Sequence, residues 1–295
     1  MPARMLKLSV STLVLATCGL AAGQTVSKPV YRVAAEQATT APAAAPQTQL
    51  VSATEPTSPF DLTLAEGEHP LMPCIRVAKE GLAGIEANIK DYEATFTKTE
   101  RLDGKPGEQQ QILLRVRHEP FSVYMKFITP YPGREALYVE NQNDGNLVAL
   151  DSGFKRRLGK INLDPNGMIA MRGQRYPITK CGIRNLTAEL IKIAEKDVQY
   201  GECEVKYNHT VKIAGRPVTM MEITHPTPRK NFRFHKARIF VDHELKIPVM
   251  FDAYTWPQEP GGQPILEEQY IYTNIKLNNG FTDADFSPDN PNLFK

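Results

Sequence analysis

The sequence has little charge imbalance and few of the residues from which metal and redox sites are built. Its 295 residues include 35 Lys and Arg, 33 Asp and Glu, 6 His, 4 Cys and 1 Trp. No run of like charges stands out, so neither nucleic-acid binding nor a polybasic membrane role has an electrostatic basis. The Gly-x-Ser-x-Gly, His-Glu-x-x-His and phosphate-binding glycine patterns are missing as well. These absences favour a non-enzymatic protein without a cofactor.

The histidines do not follow the spacing of a helical metal site. That spacing places two ligands three or four residues apart on one helix face. Strands could still bring two of the four together, but we expect hydrogen-bonded histidines and no metal. The four are His209, His225, His235 and His243.

Residues 1–23 have the order of a secretory signal. Arg4 and Lys7 precede a short apolar stretch and then small residues, and the apolar stretch is too short to span a membrane. A competing interpretation is the lipobox-like run "LATC", which would make Cys18 a lipid-modified N-terminus. Thr17 is an unusual residue before such a cysteine, so plain secretion is favoured. Both interpretations predict export to the periplasm or cell envelope.

Residues 24–66 are dominated by Ala, Thr, Pro, Gln and Ser and lack apolar periodicity. Such a segment buries too little apolar surface to offset its ordering entropy, so the sequence predicts a disordered tether. The remaining chain, residues 67–295, has a suitable length for one domain.

Two segments have the apolar spacing of amphipathic helices. The first covers residues 70–91 and the second residues 182–201, with Asn185 as the expected N-cap and Gly201 as the stop. Both apolar faces are suited to packing on a sheet. The residues that recur at steps of three and four are Ile75, Ala78, Leu82, Ile85 and Ile89 in the first segment, and Ile183, Leu186, Leu190, Ala194 and Val198 in the second.

Most of the remaining chain alternates with period two, which is typical of strands. Examples are "YEATF", "ILLRV" and "VYMKF", with turn-forming residues between neighbouring segments. Short loops between successive strands favour antiparallel pairing. The predicted fold is therefore α+β, a large curved antiparallel sheet with helices against one face.

Asp242, His243 and Glu244 lie side by side between two apolar runs, an arrangement that suggests catalysis. Residues 242–246 form a polar interruption between "RIFV" and "IPVMF", and Pro248 restricts the start of the return strand. We therefore predict a hairpin turn whose acids are hydrated and contribute little to stability.

Three cysteines remain after the signal: Cys74, Cys181 and Cys203. In an oxidising compartment an odd number leaves at least one thiol without an intramolecular partner. Cys181 and Cys203 flank the second predicted helix. A bridge between them is favoured over the two other pairings.

Several longer motifs resemble a known superfamily. The order of a helix, "YEATFTKTERLDGKPGEQQQILLRVRHEPFSVYMKF" and "GREALYVENQNDGNLVAL" resembles the LolA and LolB outer-membrane lipoprotein carriers, mainly over residues 85–150. The segments "LDPNGMIAMRGQRYPITKCGI", "RIFVDHELKIPVMFDAYTWP" and "NNGFTDADFSPDNPNLF" are more similar to a secreted bacterial family of unknown function within that superfamily. This second resemblance covers about residues 70–295.

The resemblance implies an incomplete β-barrel whose concave face is covered by helices and binds lipid or acyl chains. One position departs from the carriers. Tyr124 stands about where LolA-type carriers have an arginine that helps to close the helical lid. Lid control through that arginine is therefore not expected here.

The first functional hypothesis is a cell-envelope protein that binds a lipid or lipoprotein acyl chain in a half-barrel cavity. Aromatic and methionine side chains are suited to such a pocket, although the same residues can simply be core. The alternative is an interaction or sensory module that binds an envelope protein and carries no lipid. The candidate cavity residues are Phe96, Leu114, Val116, Met125, Phe127 and Phe251.

Overall fold

Alternating apolar and polar residues fold most of the chain into strands. The computed structural model describes residues 57–295, so the predicted signal lies outside the described residues. The two helices are α1 (Met72–Asn88) and α2 (Ile183–Asp197). The strands are β1 (Asp91–Leu102), β2 (Lys105–Pro106), β3 (Gln110–Arg117), β4 (Ser122–Thr129), β5 (Glu135–Val139), β6 (Leu147–Leu150), β7 (Ile161–Leu163), β8 (Glu204–Asn208), β9 (Lys212–Ile213), β10 (Arg216–Thr224), β11 (Lys236–Asp242), β12 (Pro248–Thr255) and β13 (Ile265–Leu277).

The strands form one antiparallel sheet that remains open, as the sequence predicts. Its order is β7-β6-β5-β4-β3-β1-β13-β12-β11-β10-β8, with β2 paired to β1 and β9 to β10. Neighbours along the chain pair through short turns, but the first long strand also pairs with the last one, with Tyr92 opposite Leu277. Within the described chain β7 and β8 are the two ends of the sheet. The architecture is therefore an incomplete β-barrel.

One face of the sheet is buried beneath the helices. Tyr92 and Phe96 of β1 lie on this inward face with Ile112 of β3, the strand that neighbours β1. Ile85 from α1 and Ile183 from α2 pack into the same cluster. The predicted placement of helices on the concave face is confirmed. Neither helix in residues 57–295 is long and apolar enough to cross a bilayer.

Helix α2 begins earlier than its sequence suggests. Its N-cap is Gly182, whose φ of 108° few other residues adopt, and a Cβ there would lie 3.1 Å from the Tyr92 hydroxyl oxygen. The predicted N-cap, Asn185, is wrong, because its amide instead donates a 2.9 Å hydrogen bond to the Cys181 carbonyl. The helix ends at Asp197, before the predicted stop at Gly201.

The ordered chain extends back into the predicted tether. The Ser58 hydroxyl lies 3.2 Å from the Thr219 hydroxyl, and the Phe60 ring meets the His243 ring edge-on at 6.1 Å between centroids. Phe60 and Leu62 also pack against the cluster formed by α1, β10 and β11. The packed chain therefore reaches Ser58, well before the predicted domain start at residue 67.

The Asp242–Glu244 segment is a turn between β11 and β12, but Asp242 is not hydrated. Its carboxylate is fully buried and accepts 2.9 Å hydrogen bonds from the backbone N–H groups of Glu244 and Leu245. A tight turn leaves these groups without strand partners, and the carboxylate satisfies both. The expectation that Asp242 contributes little to stability is therefore wrong.

The expected Cys181–Cys203 bridge is also wrong. Cys74, Cys181 and Cys203 are all free. Cys181 and Cys203 pack against two different hydrophobic clusters, at opposite ends of the fifteen-residue helix α2. Burial raises the pKa of Cys74 to about 11 and that of Cys181 to about 12, so both thiols stay protonated at neutral pH.

The outward face of the sheet is partly covered by the C-terminal segment. Phe286 and Leu293 pack there against Tyr124, Leu137 and Val139 of β4 and β5. Tyr124 therefore lies on the opposite face from the helices.

Candidate functional site

A cavity of about 660 Å³ lies between the inward face of the sheet, helix α2 and the segment that joins β7 to α2. We call this segment, residues 164–182, the connector. The connector contributes Ile169 and Ile178 to the lining, and α2 contributes Leu186, Leu190 and Ile193. These side chains give the cavity an aliphatic cover.

Aromatic rings form the floor of the cavity. Phe96 stacks on Tyr272 with 4.8 Å between ring centroids, and the Phe251 ring lies 6.2 Å from that of Tyr270. Phe234 meets Phe251 edge-on at 6.0 Å. All five residues line the cavity. Each ring is held by another ring, so the floor is rigid and apolar.

Four of the six predicted cavity residues lie on the lining, namely Phe96, Met125, Phe127 and Phe251. Leu114 and Val116 face the same side of the sheet but belong to the packed core, where each is at most 1% exposed. Alternation identifies the inward face, but it does not show how far along a strand the helices touch that face. Ligand binding by the four lining residues stays a prediction.

Charged residues occupy one end of the cavity, although they lie on the inward face. Lys98 Nζ is 3.0 Å from Glu100 Oε2, and both side chains are buried. The Tyr270 hydroxyl lies 2.8 Å from Glu100 Oε1 and 3.0 Å from Glu268 Oε2. Burial raises the pKa of Tyr270, and the two carboxylates raise it further, so the phenol stays protonated.

The connector is attached to these buried charges. The backbone N–H of Arg175 donates to Glu100 at 3.0 Å, while the Arg175 guanidinium lies 3.0 Å from Glu267 and 3.4 Å from Glu268. Gln174 accepts a hydrogen bond from Lys98. We call Lys98, Glu100, Glu268, Gln174 and Arg175 the latch.

The electrostatics of the latch favour the closed connector. Burial raises the pKa of Glu268 even though Tyr176 and Arg175 act to lower it, so the carboxylate depends on those partners. Burial opposes the charge of Arg175, but Glu268 and other neighbours outweigh burial and raise its pKa. Lifting the connector would take the Arg175 guanidinium away from Glu267 and from the buried Glu268, and the loss of one partner from a buried ion pair is unfavourable. The arrangement is therefore suited to holding the connector against the sheet at this end of the cavity.

Sequence reasoning missed the latch, although a signal was present. In "YEATFTKTER" the period that places Tyr92 and Phe96 inward also places Lys98 and Glu100 inward. The segment "EEQYIY" does the same for Glu268 and Tyr270. Charges that continue an inward alternation predict a buried polar network or a binding site.

The histidines do not form a metal site in the described chain. Residues 57–295 contain no group of three or more His, Cys, Asp or Glu side chains arranged to hold an ion. Two histidines that follow strand ends do approach each other, since His209 Nδ1 and His243 Nε2 lie 3.2 Å and 2.9 Å from the buried Thr219 hydroxyl.

Residues 89–294 match the family described as "Protein of unknown function (DUF1571)". No curated protein matches the sequence. The family match agrees with the sequence motifs, which resemble a bacterial family of unknown function.

The solved structures that match this chain have low sequence identity and low TM-scores. A putative outer membrane lipoprotein-sorting protein domain from Vibrio parahaemolyticus is 12% identical, with 72% of this chain and 95% of that chain covered and a TM-score of 0.34. The MucA/MucB complex of Pseudomonas aeruginosa is 15% identical, with 71% of this chain and 60% of that chain covered and a TM-score of 0.39. Lipoprotein LppX of Mycobacterium tuberculosis is 13% identical, with 72% of this chain and 98% of that chain covered and a TM-score of 0.39. Similarity at this level does not identify a ligand.

Proposed function

Since the chain belongs to the DUF1571 family of proteins of unknown function, we propose its function from the cavity. We propose that it is a non-enzymatic protein of the cell envelope that binds a lipid or a lipoprotein acyl chain between the sheet and α2. The observation that carries this proposal is the 660 Å³ volume above an aromatic floor. Small-molecule sites typically have volumes of about 300–1,000 Å³ and mostly apolar walls.

Core packing alone does not account for such a space. Protein interiors are packed about as densely as organic crystals, and voids larger than a water molecule are few. A cavity of this size leaves the half-buried side chains on its wall, such as Met125 and Leu186, without protein contacts on one side, which forfeits dispersion energy. An acyl chain would supply those contacts. The connector and α2 would then shield the chain from water.

The predicted export signal is consistent with this function. A hydrophobic ligand in the aqueous envelope needs a cover. The connector provides one, and the latch holds the connector in place without a ligand. Opening would require Arg175 to leave Glu100, Glu267 and Glu268. Release of the ligand is therefore coupled to a small set of identifiable contacts.

The alternative function is an interaction module that uses the same fold to bind an envelope protein. The two functions differ in what accompanies the purified protein. We expect solvent extracts of gently purified protein to contain lipid by mass spectrometry, whereas an interaction module would release none.

A variant that fills the cavity tests the site directly. Ala188 of α2 is half-buried and lines the cavity, so Ala188→Trp should occupy it and abolish binding of a fluorescent fatty acid without unfolding the protein. Ala83→Trp, on the exposed surface of α1, is the matched control and should bind as wild type does. Extracts without lipid, or unchanged binding by Ala188→Trp, would contradict the proposal.

A further inference from the structure

Exposed apolar side chains are concentrated in one short part of the described chain. Seven large hydrophobic residues of residues 57–295 are strongly exposed, and five of them lie between residues 154 and 169. Their exposure ranges from 42% to 85%. We call these five the rim patch, namely Phe154, Leu158, Ile161, Met168 and Ile169.

The rim patch lies at the opening of the cavity. Ile161 and Ile169 belong to the cavity lining and are nevertheless exposed to solvent, so the cavity opens beside them. Phe154 and Leu158 lie on the short 3₁₀ helix Gly153–Leu158 that joins β6 to β7. Lys155 of that helix also lines the cavity. Two separate segments therefore present apolar residues at one opening.

The same region is positively charged. Residues 152–163 contain Lys155, Arg156, Arg157 and Lys160 and no acidic residue. Three of these cations are paired with acids. The Arg156 guanidinium lies 3.5 Å from the buried Glu135 carboxylate, and Lys160 Nζ lies 3.7 Å from Asp289. Lys155 is paired with Asp151 at 3.9 Å. Arg157 is exposed and lies over the Phe154 ring at 5.2 Å. Arg157 is therefore the cation that remains beside the apolar tip.

We propose that the rim patch docks the protein onto the surface of an anionic lipid bilayer. Exposed aromatic and aliphatic side chains beside basic ones match a bilayer interface, where rings enter the head-group region and cations meet acidic lipids. The centre of a protein interface is instead depleted of lysine. The near-neutral balance of the whole chain conceals this patch, which explains why composition gave no basis for a membrane role.

Docking there places the cavity opening against the bilayer. It does not depend on the proposed ligand, because the patch would adhere to vesicles even if the cavity stayed empty. Binding by one patch of this size is expected to be reversible and weakened by salt.

Vesicle co-flotation tests the proposal. The full chain would be used with Cys18→Ser, so that a lipid anchor cannot carry it onto vesicles. We expect flotation with vesicles of phosphatidylglycerol and phosphatidylcholine, and much less with phosphatidylcholine alone. The Phe154→Ser, Leu158→Ser double variant should bind at least about tenfold more weakly, and Arg157→Glu should reduce binding and its salt dependence.

Ile128→Ser and Leu64→Ser are the matched controls, because both residues are exposed apolar side chains outside the rim patch. They should float as wild type does. Equal flotation of wild type and the double variant would overturn the proposal. So would sedimentation showing that wild type forms dimers which the double variant does not, since the patch would then bind a second copy. Fatty-acid binding in solution reports separately on the cavity.

Discussion

The guanidinium of Arg216 meets the buried carboxylate of Asp242 with two parallel contacts. Its Nε lies 2.6 Å from Oδ2, and one terminal nitrogen lies 2.9 Å from Oδ1. This pair joins the start of β10 to the end of β11, beside the turn that the carboxylate also closes.

We predict that Asp242→Ala lowers the free energy of unfolding by about 3 kcal/mol, because it removes a buried carboxylate that accepts hydrogen bonds from two turn N–H groups and from the half-exposed Arg216. Glu244→Ala is the control. Glu244 contacts the same arginine at 3.0 Å but is 80% exposed, so its loss should change stability by less than about 1 kcal/mol. Urea denaturation measures both, and equal effects would show that burial is not the determining factor.

The same carboxylate should give a defined pH dependence. Burial alone would raise the pKa of Asp242, but hydrogen bonds from Arg216 and the turn backbone outweigh burial and lower it below 3.8. A lowered pKa in the folded state stabilises the protein above the unfolded pKa, and this contribution is lost as the pH falls through the folded pKa. The stability difference between wild type and Asp242→Asn should therefore narrow below pH 3.8. A constant difference down to full protonation would contradict this.

The latch should control ligand release. Arg175→Ala removes hydrogen bonds to charged groups worth about 1.5–3 kcal/mol, so a fluorescent fatty acid should leave the cavity about tenfold faster or more. Asn166→Ala, at an exposed position of the same connector that does not line the cavity, should leave the rate unchanged. Stopped-flow displacement gives both rates. Equal release from wild type and Arg175→Ala would mean that the connector is not the barrier.

Core and cavity residues should respond differently to truncation. Leu114→Ala should cost about 3–5 kcal/mol with or without ligand, because Leu114 is packed on all sides. Phe127→Ala should cost less in delipidated protein and should lose the stabilisation that added ligand provides. Thermal melts with and without a fatty acid make the comparison. A full core penalty for both, with no ligand effect in wild type, would remove support for the cavity function.

The segment before α1 should resist proteolysis. Phe60 and Leu62 pack on the domain, so cleavage should stop near residue 57 instead of removing residues 57–66. A chain that starts at residue 67 should fold but lose about 1–2 kcal/mol, the value of partly burying one large apolar side chain. Rapid trimming to residue 66 without loss of stability would contradict this.

Local patterns account for what the sequence predicts well. Alternation identifies the strand segments around Tyr92 and Val123, and 3.6-residue spacing identifies both helices. Local patterns cannot predict the pairing of β1 with β13, because no turn sets a register between residues so far apart in sequence. They cannot predict the burial of Asp242 either, since it depends on Arg216 in another strand.

The cavity, too, is only partly predictable from local sequence. The sequence predicts which side of each strand faces the helices, but the position of α2 decides that Phe96 lines a space while Leu114 is covered. That position depends on Gly182 contacting Tyr92, a long-range contact. The latch joins strand residues to the connector in the same non-local way.

The pairing of β1 with β13 has a consequence for how the protein is made. These two strands form the middle of the sheet, with β3 on one side and β12 on the other. In a chain that emerges from a ribosome or an export channel, β13 is the last strand to appear. Until then β1 has an unpaired edge. Such high contact order slows folding, and exposed strand edges promote aggregation. The sheet can therefore form only after β13 has been synthesised. A chain that ends before residue 265 lacks the strand that joins β1 to β12, and its two half-sheets stay unpaired.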